Sequence, residues 1–85
     1  METTFENGTK IDFYMATGYA EGFEQVDHPF DIIRAWSYLV GTKLAYSLQG
    51  WFGRTAQGLI DARVMDVNGI VDWEYVEEKF ANQLN

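Results

Sequence analysis

The sequence has no cysteine, and it has one histidine and one proline among 85 residues. Without cysteine, disulfide bonds, thiolate metal sites and a cysteine nucleophile are excluded. Small secreted domains usually depend on disulfides for stability, so we expect a cytoplasmic protein or an oligomer that supplies further core. A single histidine is too few for a histidine metal site. Because His28 stands beside Pro29 at a predicted helix start, a capping or surface role is favoured over general-base catalysis.

Long apolar runs are absent as well. The most apolar window, residues 35–51, is 17 residues long and contains Lys43 and Gln49, so it is too short and too polar to span a bilayer. The first residues also lack the basic and then apolar pattern of a signal peptide. We therefore expect no membrane association and a cytoplasmic location.

Basic residues are few, because six Lys and Arg stand against thirteen Asp and Glu, for a formal net charge of −7. This balance argues against generic nucleic-acid binding, which needs a basic surface. The charge is uneven: residues 1–31 carry −6, residues 32–65 carry +3 and residues 66–85 carry −4. The acidic ends are expected either to lie against the basic middle, in one chain or across a homodimer, or to form an acidic face for a basic partner.

Apolar and aromatic residues are abundant. They make up 47% and 16% of the sequence, with three Trp, five Tyr and six Phe, which predicts a folded chain. A chain of this length forms one domain with a modest core. Because so small a core needs fewer aromatic side chains, we expect some of them on the surface, at a contact site or a dimer interface.

Residues 1–26 predict a β-hairpin followed by a loop. Asn7-Gly8 is a dipeptide suited to a type I′ turn. After it, Ile11, Phe13 and Met15 alternate with more polar neighbours, which is the pattern of a half-buried strand. The glycines that follow are expected to end this strand.

Residues 27–63 predict a helical core. Apolar side chains recur at spacings of three and four, at Ile33, Trp36, Val40, Leu44 and Leu48. Gly41 lies inside this stripe and indicates either a helix break or the close approach of another backbone. The sequence of residues 41–63 is compatible with one helix, two helices or a loop. The apolar spacing after Gly50 favours a helical hairpin.

Residues 64–85 predict a turn and then an amphipathic helix. Asn68-Gly69 is again a turn signal, Asp72 is a candidate N-cap, and Val71 and Val76 are spaced as a hydrophobic staple. The apolar stripe of the helix is Trp73, Val76, Phe80 and Leu84. The acidic stretch that starts at Asp66 fits no EF-hand register, because apolar residues fall where ligands or glycine are required.

The predicted fold class is α+β, in one domain over residues 1–85. The N-terminal β-hairpin packs on a core helix or helical hairpin, and the short turn or hairpin at Asn68-Gly69 leads into the C-terminal helix.

The sequence contains no catalytic, cofactor or metal motif. The close carboxylate pairs, Glu21 with Glu24 and Glu74 with Glu77 or Glu78, are expected on exposed faces, without an apolar pocket to raise a pKa for acid–base work. The glycine-rich residues 49–58 match neither a P-loop nor a dinucleotide fingerprint. We therefore expect a non-enzymatic protein without cofactor or metal.

The residues predicted to bind a partner are acidic. They are Glu74, Glu77, Glu78, Glu21, Glu24 and Asp27. Their charge predicts a protein partner with a basic surface, and a homodimer is expected from the aromatic surplus. A small, acidic, cysteine-free chain of this kind would suit an accessory or inhibitor protein of a phage or mobile element, an origin assigned by type and not by any motif.

Two alternative functions remain open at this point. Trp51, Phe52 and Arg54 form an aromatic and basic patch that could stack on a base and contact a phosphate, as in a nucleotide or single-strand binding module. The other alternative is a structural or assembly subunit that binds no small ligand.

Overall fold

The computed structural model describes the backbone of residues 1–84 and the side chains of residues 1–80. Four α-helices follow one another: α1 (Phe13–Glu21), α2 (Asp31–Gly41), α3 (Gly50–Asp61) and α4 (Trp73–Leu84). A short 3₁₀ turn, Leu44–Tyr46, joins α2 to α3. Residues 1–84 contain no β-strand, so the predicted α+β class is wrong and the fold is helical.

The N-terminal hairpin is reduced to a turn with one antiparallel bridge, between Thr4 and Lys10. The Asn7-Gly8 turn does form, since Gly8 has a φ of 87° and the Phe5 N–H donates to the Thr9 carbonyl at 2.9 Å. The predicted second strand does not form, because the chain becomes helical one residue after Asp12.

The start of α1 explains why a helix forms where the sequence predicts a strand. The Asp12 carboxylate accepts a hydrogen bond from the Met15 N–H at 2.8 Å, which is N-capping of a helix. A short run of alternating apolar residues also fits one turn of a helix. Here the helix is favoured over the strand because Ala16 becomes completely buried and α1 packs against α2.

Helix α2 is the central element. Its buried face is formed by Ala35, Trp36, Ser37, Leu39 and Val40. Asp31, the first residue, is also buried, and its carboxylate accepts a hydrogen bond from the Glu6 N–H at 2.9 Å. The N-terminal segment is therefore tied to the start of α2. The helix ends at Gly41, so residues 41–63 hold a second, separate helix, α3.

The turn at Asn68-Gly69 is present and carries a single bridge between Met65 and Val71. Gly69 has a φ of 79°, and its backbone lies directly against α2. The Ser37 hydroxyl donates to the Gly69 carbonyl at 2.6 Å. A Cβ atom on Gly69 would lie 2.5 Å from the Ser37 carbonyl oxygen and 2.8 Å from the Gly41 nitrogen. Gly69 thus allows the turn and the end of α2 to meet backbone to backbone, whereas the missing side chain of Gly41 leaves room for Met1.

Helix α4 begins as predicted from its cap. The Asp72 carboxylate accepts from the Tyr75 N–H at 3.0 Å, and both residues of the predicted staple, Val71 and Val76, are buried. Trp73 and Phe80 pack against the core. The predicted contribution of the Leu84 side chain lies outside the described side chains.

Candidate functional site

The first group of predicted partner-binding acids lies on α1 and the loop that follows it. Glu21, Glu24 and Asp27 are all exposed. Within residues 1–80, none of them forms an ion pair with Lys or Arg. Asp27 accepts a 3.4 Å hydrogen bond from the Asn7 amide, and the Glu24 side chain lies over Gly18. Their charges are therefore largely free to act on a partner.

The second group lies on α4. Glu74, Glu77 and Glu78 are exposed, and none of them forms an ion pair within the described side chains. Lys79, the basic residue of this helix, lies 5.8 Å from the centre of the Tyr75 ring. This face of α4 is thus acidic, as the sequence predicted.

Arg34 is a basic residue that lies beside acids of the N-terminal segment. Contacts within the fold occupy its guanidinium. Its guanidinium binds Asp31 at 2.9 Å and Glu6 at 3.1 Å and lies 4.8 Å from the centre of the Trp73 ring. The Trp73 indole N–H donates to Glu2 at 3.3 Å. The side chain of Arg34 is only 14% exposed. It joins the N-terminal segment, α2 and α4, and is not available to neutralise Glu21, Glu24 or Asp27.

The phenol of Tyr19 reports on the potential in this region. Its pKa is raised above the ordinary value, first by burial and then by the negative charges of Asp27, Asp31 and Glu24. The ring packs on Phe5 with centroids 4.7 Å apart. Three carboxylates therefore act together near this side of α1, which is consistent with a negative potential there.

The aromatic and basic patch is only partly accessible. Trp51 is 43% exposed, whereas Phe52 is 4% exposed and packs between Trp51 and Trp36, with ring centroids 4.8 and 5.9 Å away. Arg54 is exposed, but its guanidinium folds back beside Gly50. Phe52 therefore belongs to the core and cannot stack on a base, which removes one of the three residues on which the nucleotide alternative depends.

The described residues contain no group of three His, Cys, Asp or Glu side chains placed to hold a metal ion. His28 has a structural role, because its Nδ1 accepts a 3.1 Å hydrogen bond from the Phe30 N–H at the start of α2. Every buried side-chain N or O atom in this part of the chain has a hydrogen-bond partner. No titratable group in residues 1–80 is thus left buried and unpaired, as a general acid or base often is.

An apolar groove, which we name the α2–α4 groove, opens on the surface where three helices meet. Its volume is about 300 Å³, and each of the described residues that line it is apolar: Pro29, Phe30, Ile32, Ile33, Leu59, Val64 and Phe80. Ile32 is 41% exposed at this groove. No sequence motif predicts this groove, although Ile32 lies next to the main apolar stripe of α2 and widens its apolar face.

A second, broader groove of about 830 Å³ lies beside the Asn68-Gly69 turn. Its walls combine apolar side chains, among them Val67 and Ile70, with the charged side chains of Arg63, Asp66 and Asp72. The Asp66 and Asp72 carboxylates both accept hydrogen bonds from nearby backbone N–H groups. These two acids are therefore occupied in shaping the turn and capping α4.

Two further aromatic residues, one on α1 and one just after it, are highly exposed. Tyr14 on α1 is 77% exposed, and Phe23 just after α1 is 81% exposed. Phe23 follows Gly22, which ends α1 with a φ of 79°, and its N–H donates to the Gly18 carbonyl at 2.9 Å. In this type of helix end the residue after the glycine often packs on the side chain three positions inside the helix. Because Gly18 has no side chain, Phe23 projects into solvent.

None of the helices in the described part of the chain has the length and apolar character needed to cross a bilayer. No family model, curated protein or solved structure matches the chain.

Proposed function

We propose that this protein is a small acidic interaction module that binds a basic surface of another protein. The observation that carries the proposal is the set of exposed carboxylates on α1, its following loop and α4, which have no Lys or Arg partner within residues 1–80. An accessory or inhibitor protein of a phage or mobile element, which covers a basic groove of its target, would use this chemistry.

Free surface carboxylates attract a basic partner over a distance and select it by complementarity. They contribute mainly to the association rate and to specificity, and salt weakens them. Short-range affinity comes instead from apolar and aromatic side chains that become buried on binding. The exposed Tyr14 and Phe23, which are close in sequence to Glu21 and Glu24, supply such side chains.

The test compares two charge-reversal variants in affinity capture from an extract of the source cells. One variant carries Glu21→Lys, Glu24→Lys and Asp27→Lys, and the other carries Glu74→Lys, Glu77→Lys and Glu78→Lys. Each reversal adds two charges, so three of them take either variant from −7 to −1. The two variants are therefore matched in net charge and differ only in the face that is changed.

We expect a captured protein whose binding weakens with added salt, and which one variant loses while the other keeps it. That result would also show which acidic face makes the contact. If both variants retained the captured protein at every salt concentration, the acidic faces would have no part in binding and the proposal would be wrong. Circular dichroism of both variants checks that the helices are retained.

A further inference from the structure

The α2–α4 groove has the chemistry of a docking site for apolar side chains. The seven described residues that line it are all apolar, and its volume of about 300 Å³ is at the lower end of the range for ligand pockets. Ile32 is 41% exposed and Pro29 is also exposed, so the groove opens to the surface. It can therefore receive a few side chains of a larger partner without any movement of the helices.

The groove is lined by residues of α2, α3 and α4 and of the segments next to them. Extended peptides usually bind by adding a strand to a sheet edge, and residues 1–84 provide no sheet. A groove between helices instead suits an amphipathic helix, whose apolar side chains repeat at i, i+3, i+4 and i+7. The occupant that fits the architecture is thus a helix.

The charges on the three helices determine which net charge the bound helix should carry. Phe80 lines the groove on α4, three residues after Glu77, and α4 carries three Glu against Lys79. On the α2 side, Asp27 forms no ion pair within residues 1–80, and Arg34 is already paired with Asp31 and Glu6. On the α3 side, Arg54 and Arg63 stand against Asp61, which is one positive charge and does not offset the acids of α4 and Asp27. The surroundings are therefore net acidic, and they oppose an anionic helix or an anionic membrane surface.

We infer that the α2–α4 groove binds the apolar face of a basic amphipathic helix of the partner protein. The inference rests on the proposed function and specifies the partner's contacting element. Apolar side chains of that helix fill the groove, and its Lys or Arg residues face the acids of α4. Affinity then depends on both the apolar face and the positive charge of the bound helix. Synthetic peptides can vary these two properties separately.

The experiment measures fluorescence anisotropy of labelled peptides of about 14 residues, a length at which helices become stable on binding. The first peptide places Leu at i, i+3, i+4 and i+7 among Lys. A second has the same composition in an order without an apolar face, and a third replaces Lys by Glu. We expect the first peptide to bind at least about tenfold more tightly than the second, because only its apolar face can fill the groove, and the third not to bind.

Two isoleucine variants locate the contact. Ile32→Lys changes the groove, whereas Ile70→Lys changes an isoleucine that is 54% exposed outside it. Both add the same charge at an exposed position. We expect Ile32→Lys to weaken binding of the first peptide about tenfold or more and Ile70→Lys to leave it nearly unchanged. Ile32→Glu, which adds no repulsion toward Lys, should weaken binding more than Ile70→Glu does.

Three results would overturn the inference: equal affinity for the first two peptides, equal loss from the Ile32 and Ile70 variants, or tight binding of the Glu peptide. These outcomes are separate from the test of the proposed function. If charge reversal abolished capture of the natural partner while the peptides showed no preference for the groove, the acidic interaction would stand and the groove would have no part in it.

Discussion

At the scale of single residues, this fold depends on a few close backbone contacts that no side-chain pattern reveals. Gly69 is the clearest case. Its positive φ and its approach to the backbone of Ser37 and Gly41 leave no room for a Cβ atom. The Ser37 hydroxyl, itself fully buried, completes the contact by accepting from the Glu2 N–H at 2.7 Å and donating to the Gly69 carbonyl.

Gly69→Ala should therefore destabilise the protein by about 2 kcal/mol or more, because left-handed strain adds to a steric clash with backbone atoms. Gly8→Ala is the matched control, since Gly8 also has a positive φ but a Cβ atom there would meet nothing within 4 Å. It should cost only about 1 kcal/mol of strain. Urea unfolding of both variants measures the difference, and equal losses would show that the contact with α2 is unimportant.

Tyr19 gives a prediction about pH. Its pKa is raised in the folded state by burial and by Asp27, Asp31 and Glu24, so folding favours the protonated phenol. The resulting stability is fully present below the unfolded pKa of about 10 and is lost as the pH rises through the folded pKa. Tyr19→Phe should make the free energy of unfolding fall less steeply above about pH 10.

Tyr14→Phe is the control for this experiment, because Tyr14 lies on the same helix and is 77% exposed. Its substitution should leave the alkaline loss of stability as in the original protein. Identical pH profiles for Tyr19→Phe and the original chain would contradict the prediction. Chemical unfolding followed by circular dichroism at a series of alkaline pH values supplies the measurement.

At the scale of the elements, capping decides where the helices begin. Asp12 and Asp72 each accept a hydrogen bond from the backbone N–H three residues later. The cap on α4 was predictable, because the turn at Asn68-Gly69 precedes it and an apolar stripe follows. The cap on α1 was missed, because Ile11, Phe13 and Met15 alternate as in a strand. Asp12 is also a preferred N-cap residue, and this local signal competes with the strand pattern.

Asp72→Ala should lower stability by about 1 kcal/mol, since the first turn of α4 loses a hydrogen-bond acceptor near its positive end. Asp61→Ala offers a control that removes one exposed carboxylate without a cap, because Asp61 accepts only from the Gln57 side chain in the described structure. It should change stability by no more than about 0.5 kcal/mol. Thermal unfolding of both variants measures the difference. An equal loss of stability would contradict a capping role for Asp72.

At the scale of the whole molecule, exposed aromatic side chains also lie in the basic middle of the chain. Tyr46 and Trp51 are 47% and 43% exposed in the segment that carries positive charge, residues 32–65. The acidic ends of a second copy could cover this region, which is the basis of the homodimer predicted from the sequence. The homodimer has not been tested by the structure and stays a prediction.

We expect light scattering coupled to size exclusion to show a dimer at low salt that dissociates as the salt concentration rises. Trp51→Glu should favour the monomer, because it places a charge in the expected contact. Phe23→Glu adds the same charge at an 81% exposed aromatic residue of the acidic end, which would cover this region, and should favour the monomer as well. A monomer at micromolar concentration and low salt would rule the dimer out and leave these aromatic residues to another partner.

The sequence by itself determined the charge distribution, the absence of thiol chemistry, the stripe of α2 and the cap and staple of α4. These features depend on composition or on neighbours within about one helical turn. Only the tertiary structure decided that α1 is a helix, that Phe52 is core and Trp51 is surface, and that seven apolar residues meet in a groove. Each of these depends on packing between residues far apart in the chain, such as Pro29 and Phe80, which line the same groove, and burial there overrides local preference.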